Sequence, residues 1–173
     1  FFKRFKKIVI KPIHGYGGNN ILLIKNHFNK KLIQNFIKKN KHIMIQKFLP
    51  EIIKGDRRVF IIGGKIKGAI SRVPRKGSIL SNMSKGAKAK MVKLNKREIK
   101  ISSLIAKKLI KNKILLAGID FIGGKLIGDI NVTSPTGLKT YKDLSGTDLS
   151  KDFWNYVENK YTVNWSKKGN IVS

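Results

Sequence analysis

Asp120 and the triplet Asp129-Ile130-Asn131 are the residues of this chain whose types and spacing best suit chemistry. They stand in apolar surroundings. Leu115-Leu116-Ala117-Gly118-Ile119 precedes the first acid, Phe121-Ile122 follows it, and Gly123-Gly124-Lys125 leads into Leu126 to Val132. Two β-rich segments about a Gly-Gly pair spell a hairpin. Asp129 and Asn131 are two residues apart, so they share one face of a strand. Asp120 joins that face if the loop holds an even number of residues, two (Gly123-Gly124) or four (Gly123 to Leu126). An odd loop sends it to the back. Three oxygen-bearing side chains on one face suit Mg²⁺, a hard cation that takes oxygen ligands and keeps waters or phosphate oxygens in its shell. Acids at a strand edge facing solvent explain the same residues equally well, and the hairpin alone leaves the two readings level.

A second candidate lies near the start, in Lys11-Pro12-Ile13-His14-Gly15-Tyr16-Gly17-Gly18. Glycines let backbone N–H groups approach phosphate oxygens, and the lysine adds a point charge. The stretch matches neither the Walker A ending nor the dinucleotide spacing, and a plain hairpin turn accounts for it as well. His14 has no carboxylate partner nearby in sequence and reads as a turn residue.

These candidates need elements to hold them. Lys7 to Lys11 reads as a short strand closed by Pro12, and Ile21 to Ile24 as another. Leu32, Ile33, Phe36 and Ile37 have helical spacing within Lys31 to Lys39. His42 to Phe48 is a third strand, stopped by Leu49-Pro50. A hairpin follows, Arg57 to Ile62 and Lys65 to Val73 about Gly63-Gly64. Pro74 to Lys90 lacks periodic apolar pattern and reads as a long mobile loop, a kind that is often functional. Lys96 to Lys111 is an amphipathic helix on Ile101, Leu104, Ile105 and Leu109. After the acid hairpin comes one more helix, Ser150 to Asn159, with Ser150 as N-cap and Asp152 in its first turn. The order predicts an α+β fold with antiparallel sheets and flanking helices.

Composition bounds the function. The chain has 173 residues, 38 Lys and Arg against 9 Asp and Glu, and a formal charge of +29. That charge points toward nucleic acid, yet the cations are dispersed as pairs among Ile and Asn. Helix-turn-helix, zinc-finger and stacking-aromatic signatures do not occur in the sequence. A solvated basic surface that attracts anionic substrates is the favoured account, with a nucleic-acid module as the alternative from a different class. Zero cysteines exclude disulfides, thiolate zinc sites and cysteine nucleophiles, and fit a cytoplasmic protein. No apolar run reaches the ~20 residues of a membrane span. The start at Phe1, heading within a few residues into a strand, reads as a cut within a longer protein.

Taken together, the motifs resemble the ATP-grasp ligases, and within them the bacterial glutathione synthetase family. The order is a glycine-rich loop, Gln46-Lys47-Phe48-Leu49-Pro50, Lys54-Gly55-Asp56-Arg57-Arg58-Val59, Ala69-Ile70-Ser71-Arg72-Val73-Pro74 and the acid hairpin. Ile130-Asn131-Val132-Thr133-Ser134-Pro135-Thr136 looks most like that family's signature. The resemblance runs from about Ile8 to Leu138. It implies an ATP-grasp fold with the N-terminal domain missing. Residues 1–46 would be the remainder of a lid subdomain and 47–173 the catalytic domain.

It further implies ATP and Mg²⁺ or Mn²⁺ as cofactors, γ-glutamylcysteine and glycine as small-molecule substrates, an acyl-phosphate intermediate, and a homo-oligomeric full-length protein without nucleic-acid or membrane partners. Lys11, Gly15, Gly17 and Gly18 would contact ATP phosphates. Gln46, Lys47, Phe48 and Leu49 would hold adenine, with Asp56 and Asn82 beside the nucleotide. Arg58 and Arg72 would be catalytic, steadying the acyl phosphate and the tetrahedral intermediate. Asp120, Asp129 and Asn131 would bind the metal, and Ser134 and Thr136 the substrate. Another ATP-grasp carboxylate–amine ligase is the alternative within the enzymes. Four departures stand out: Asp129 where the family usually has Glu, on a hairpin one residue longer between the acids; Gly86-Ala87-Lys88-Ala89 where it commonly has Gly-Gly-Arg-Gly; His14 where it often has Asp; and, most important, the absent N-terminal half.

Overall fold

The computed structural model describes residues 1–14, 20–124 and 126–168, together with the side chains of these residues except Ser84, Leu126 and 162–168. The chain divides into two compact units, Phe1–Pro50 and Glu51–Ser173.

The first unit opens with a single helical turn, α1 (Phe2–Phe5), then β1 (Lys7–Pro12), β2 (Leu22–Lys25), α2 (Lys30–Asn40) and β3 (Ile43–Lys47). The strands lie in the order β2-β1-β3, all antiparallel. Alternation along β1 buries Ile8 and Ile10, which meet Ile24 of β2 and Ile33 of α2, with Phe36 and Ile43 packed on them. The Asn29 side chain caps α2, accepting from the Leu32 N–H at 2.9 Å. Of the four apolar residues that marked this helix, Ile33 and Phe36 face the sheet, whereas Leu32 and Ile37 are exposed.

The second unit is a five-stranded antiparallel sheet in the order β6-β5-β4-β7-β8. Its elements are β4 (Asp56–Ile62), β5 (Lys65–Val73), β6 (Lys88–Met91), α3 (Lys96–Lys111), β7 (Leu116–Ile122), β8 (Leu126–Asn131), α4 (Leu138–Ser145) and α5 (Leu149–Lys168). Strand β4 is central, and Val59 through Ile62 are covered on both sides. Val59 and Ile61 point to one face, where Ala69, Ala117, Ile119 and Phe121 meet Ala106 and Leu109 of α3. Phe60, Ile62 and Ile70 point to the other, against Tyr141 of α4 and Leu149 of α5. Gly68 is the contact point there: a Cβ on it would lie 2.4 Å from the Tyr141 ring. Among the described residues, no helix is long and apolar enough to cross a membrane.

Several expectations need correction. The stripe of α3 against the sheet is Glu98, Ser102, Ala106 and Leu109, flanked by Ile101 and Ile105, while Leu104 is 56% exposed. Small residues at its centre let the helix approach the sheet closely. The stretch Pro74 to Lys90 is not loop throughout, because Lys88–Met91 forms edge strand β6 and pairs with β5. Helix α4 is additional. Helix α5 begins at Leu149 and runs to Lys168, and its cap is Asp148 rather than Ser150. The Asp148 carboxylate accepts from the Ser150 N–H at 3.0 Å, which a Ser at position 150, already inside the helix, has no free geometry to do.

Candidate active site

The site grows from the end of β4 where Gly55 turns into Asp56. Gly55 has φ +99°, and a Cβ there would lie 2.4 Å from the Arg72 carbonyl oxygen, so only glycine fits. That close approach sets β4 and β5 in register, with Asp56 opposite Arg72 and Arg58 opposite Ile70. On its other side β4 places Arg58 opposite Asp120 of β7. Asp56, Arg58, Arg72 and Asp120 therefore share one face of the sheet, at the open end of the layer filled by Phe60 and Ile70.

All four are buried. Arg58 forks onto Asp120, Nε to Oδ1 and Nη2 to Oδ2, both at 2.8 Å. Arg72 forks onto Asp56 through Nε at 2.8 Å and through Nη2. The same Nη2 reaches across β4 to Asp120 Oδ2 at 2.9 Å. Ser81 donates its hydroxyl to Asp56 Oδ2 at 2.6 Å. Two guanidiniums and two carboxylates thus balance in charge, and each fork is a direct cross-strand pair. Burial pushes the Asp120 carboxyl up, but the bonds from Arg58 and the charge of Arg72 outweigh it and hold the acid below its ordinary range. For Asp56 burial prevails over Arg72's pull, the nearby Asp120 charge adds to it, and the carboxyl is raised. The two acids move in opposite directions because Asp120 is gripped by two arginines and Asp56 by one.

The acid hairpin overturns the parity rule. Three residues separate β7 from β8, an odd loop, yet Asp120 stands directly opposite Asp129. Near the turn Ile122 pairs with Leu126 and Phe121 with Ile127; the register then slips by one, leaving Gly128 as the extra residue of a bulge. The bulge returns Asp129 to the face of Asp120. Asn131, opposite Gly118, lies on the same face two residues on.

Like charges directly opposite on paired strands are unfavourable unless something positive lies between them. Asp120 accepts three N–H bonds on oxygens that offer about four lone-pair positions, and Asp129 is exposed. This hard, anionic oxygen pair fits a divalent cation such as Mg²⁺. Asn131 fits less directly, because its Oδ1 already accepts from the N–H groups of Thr133 at 3.2 Å and Ser134 at 3.0 Å. Among the described residues, no set of three or more His, Cys, Asp or Glu side chains is grouped to hold a metal.

The remaining candidates divide between the units. Thr136 sits on the arginine cluster, its carbonyl and hydroxyl oxygens accepting from Arg58 Nη1 at 2.9 and 3.1 Å. Ser134 is exposed in the turn that Asn131 holds. Asn82 precedes a short 3₁₀ turn, Met83–Lys85, next to Ser81. A cavity of 510 Å³ opens beside β5 and β6, with Arg75, Lys76, Lys88 and Lys90 in its lining and no acid. In the first unit Lys11 pairs with Met44, and Gln46 with Val9, within the sheet. The Phe48 N–H donates to the Lys7 carbonyl at 3.1 Å, Lys47 lies over the Phe5 ring, and Leu49 is half-buried. Gly15, Gly17 and Gly18 lie outside the described residues.

Sequence reasoning missed Ser81, which carries no local signal, and the pair Asn95 and Glu98. The latter were visible as Asn-x-x-Glu ahead of an apolar run, a capping box, and both halves of that box are formed. Glu98 is fully buried and also accepts from Arg57 Nη1 at 2.9 Å.

Comparison with known proteins bears on this arrangement. Residues 1–146 match the prokaryotic glutathione synthetase family over its ATP-grasp domain. The glutathione synthetase of Rhodopseudomonas palustris is 35% identical over 156 residues, covering 88% of this chain and 50% of that protein. That of Mesorhizobium japonicum is 36% identical over 163 residues, covering 92% and 52%. The chain thus spans about half the length of the curated relatives it matches. Among solved structures, D-alanine–D-alanine ligase from Bacillus anthracis complexed with ATP superposes with a TM-score of 0.60 at 16% identity, covering 93% of this chain and 54% of that one. A D-cycloserine synthetase gives 0.56 at 12% identity, covering 77% and 50%. These two likenesses are of fold alone. With its match to residues 1–146 and a third of positions identical in the named relatives, this chain belongs to the prokaryotic glutathione synthetase family and carries the ATP-grasp fold.

Proposed function

We propose that the protein is an ATP-dependent ligase that joins γ-glutamylcysteine to glycine, giving glutathione, ADP and phosphate. The observation that carries this reading is the cross-strand pair Asp120 and Asp129 beside two buried arginines, in a chain of this family. A carboxylate does not acylate an amine unaided. One of its oxygens first takes the γ-phosphoryl group of ATP. The amine of glycine then attacks the carbonyl carbon, the C–O bond to phosphate breaks, and the amine gives up its proton.

Arg58 and Arg72 are the groups to steady the acyl phosphate and the tetrahedral intermediate, because fixed cations in a dry site act on developing charge without reorganising. Asp56 and Asp120 hold those guanidiniums in place. Mg²⁺ or Mn²⁺ on Asp120 and Asp129, with Asn131 as third ligand once it releases its long bond to Thr133, would neutralise phosphate oxygens. Lys11 and the glycines 15, 17 and 18 would meet the ATP phosphates. Gln46, Lys47, Phe48 and Leu49 would take adenine, and Asp56 and Asn82 would lie beside the nucleotide. Ser134 and Thr136, in the turn after β8, would bind the peptide substrate. The division into residues 1–46 and 47–173, self-association of the whole protein and a cytoplasmic setting belong to the same reading.

The test is ADP release in the presence of ATP, Mg²⁺, γ-glutamylcysteine and glycine. Release that needs both substrates, with glutathione as product, is the expected result. Turnover with other acceptors and none with this pair would overturn the assignment.

A further inference from the structure

The hairpin that carries Asp120 and Asp129 is tied at its turn to the start of α3. Asn95, the residue before that helix, uses both ends of its carboxamide. Its Oδ1 accepts from the Glu98 N–H at 2.8 Å, capping the helix, and its Nδ2 donates to the Gly124 carbonyl at 3.1 Å. Glu98 answers from inside the protein. Its Oε2 accepts from the Asn95 N–H at 2.8 Å and from Arg57 Nη1 at 2.9 Å. Arg57 lies on β4 directly opposite Phe121 of the same hairpin. The chain of bonds therefore runs from the central strand through a buried carboxylate and a helix cap to the hairpin turn.

We infer that Asn95 is a positioning residue for the metal-binding acids. The distance between Asp120 and Asp129 depends on a one-residue register slip at Gly128. Register is weakly specified where neither face of a strand is buried, and β8 is an edge strand with no buried residue among those described. The strands pair on both sides of the bulge, so fixing the turn fixes which residue is left over. The Asn95 carboxamide holds the turn on the α3 side, and the aliphatic part of Glu51 packs at Gly123. A hydroxyl or carboxylate in place of the carboxamide keeps an oxygen to cap the helix and loses the Nδ2 donor that makes the tether. This inference rests on the nucleotide–metal reading given above.

Two substitutions separate tether from cap. Ser and Asp cap helices as well as Asn does, but Asn95→Ser lacks the second arm and Asn95→Asp lacks the donor. The probe is Mn²⁺ added to the 173-residue chain with a non-hydrolysable ATP analogue. Water-proton relaxation enhancement reports the protein-bound metal, and thermal melts run in parallel. Both variants are expected to keep the wild-type melting midpoint within about 3 °C while Mn²⁺ affinity falls about 2- to 10-fold, the range spanned by one hydrogen bond. Using Ser beside Asp separates the lost donor from the added charge. Wild-type Mn²⁺ affinity in a folded Asn95→Ser protein overturns the tether while leaving the nucleotide–metal reading standing. A wild-type chain that shows no enhancement overturns both.

Discussion

Replacing Asp56 by Asn and Arg72 by Met, separately and together, measures how tightly the buried cluster is coupled. Arg72 forks onto Asp56 and also touches Asp120 at 2.9 Å, and all three residues are buried. Asp56→Asn leaves two guanidiniums against one carboxylate, with Arg72 still partly compensated by Asp120. Breaking a buried pair costs about 3–5 kcal/mol, and this substitution belongs near about 3 kcal/mol. Arg72→Met strips Asp56 of both fork bonds and leaves it only the Ser81 hydroxyl. Its cost belongs near about 4 kcal/mol. The double substitution restores the charge balance, because the Arg58–Asp120 fork remains whole. It should cost about 3 kcal/mol, far below the sum of the two, since residues in one ion-pair network are strongly non-additive. Urea unfolding at neutral pH provides the four stabilities. A double variant destabilised by the full sum, about 7 kcal/mol, would refute the coupled-cluster argument.

Gly55→Ala should destabilise the second unit by about 3 kcal/mol, combining left-handed backbone strain with a clash against the Arg72 carbonyl, and denaturant midpoints will show it. Gly128→Ala should cost about 1 kcal/mol, since the new Cβ would lie 2.7 Å from the Ile122 Cδ1 atom at the end of a flexible side chain. Ile122→Val removes that atom, so the double variant should lose less on unfolding than the two singles together. Asp148→Ala removes the cap of α5 and the Lys142 partner at 2.8 Å. A loss of about 1 kcal/mol is expected in thermal melts, and a Ser at the same position should recover most of it.

The sequence showed the elements more clearly than their assembly. Ile101, Ile105 and Leu109 marked α3 because a helix against a sheet repeats its apolar contacts every three to four residues. Leu138–Ser145 was missed because its one buried anchor, Tyr141, sits among Lys, Thr, Asp and Ser. Alternation and Gly-Gly turns located both hairpins, but a bulge has no compositional signature beyond a glycine. Gly128 therefore escaped notice, and with it the reason Asp120 and Asp129 meet across an odd loop. The residues of the cluster were legible through family resemblance as separate motifs. Their mutual pairing was not, since Arg58 and Asp120 are 62 positions apart and meet only when β4 lies beside β7. In a chain with 38 cations and 9 acids, nothing local says which carboxylates go inside. The fold buries Asp56, Glu98 and Asp120, each on an arginine.

Ligation through an acyl phosphate leaves a mark that no other route leaves. With the reacting carboxylate of γ-glutamylcysteine labelled in heavy oxygen, one labelled oxygen should pass into the released phosphate, with ADP as the other product. Glutathione formed alongside unlabelled phosphate, or AMP in place of ADP, would contradict the account.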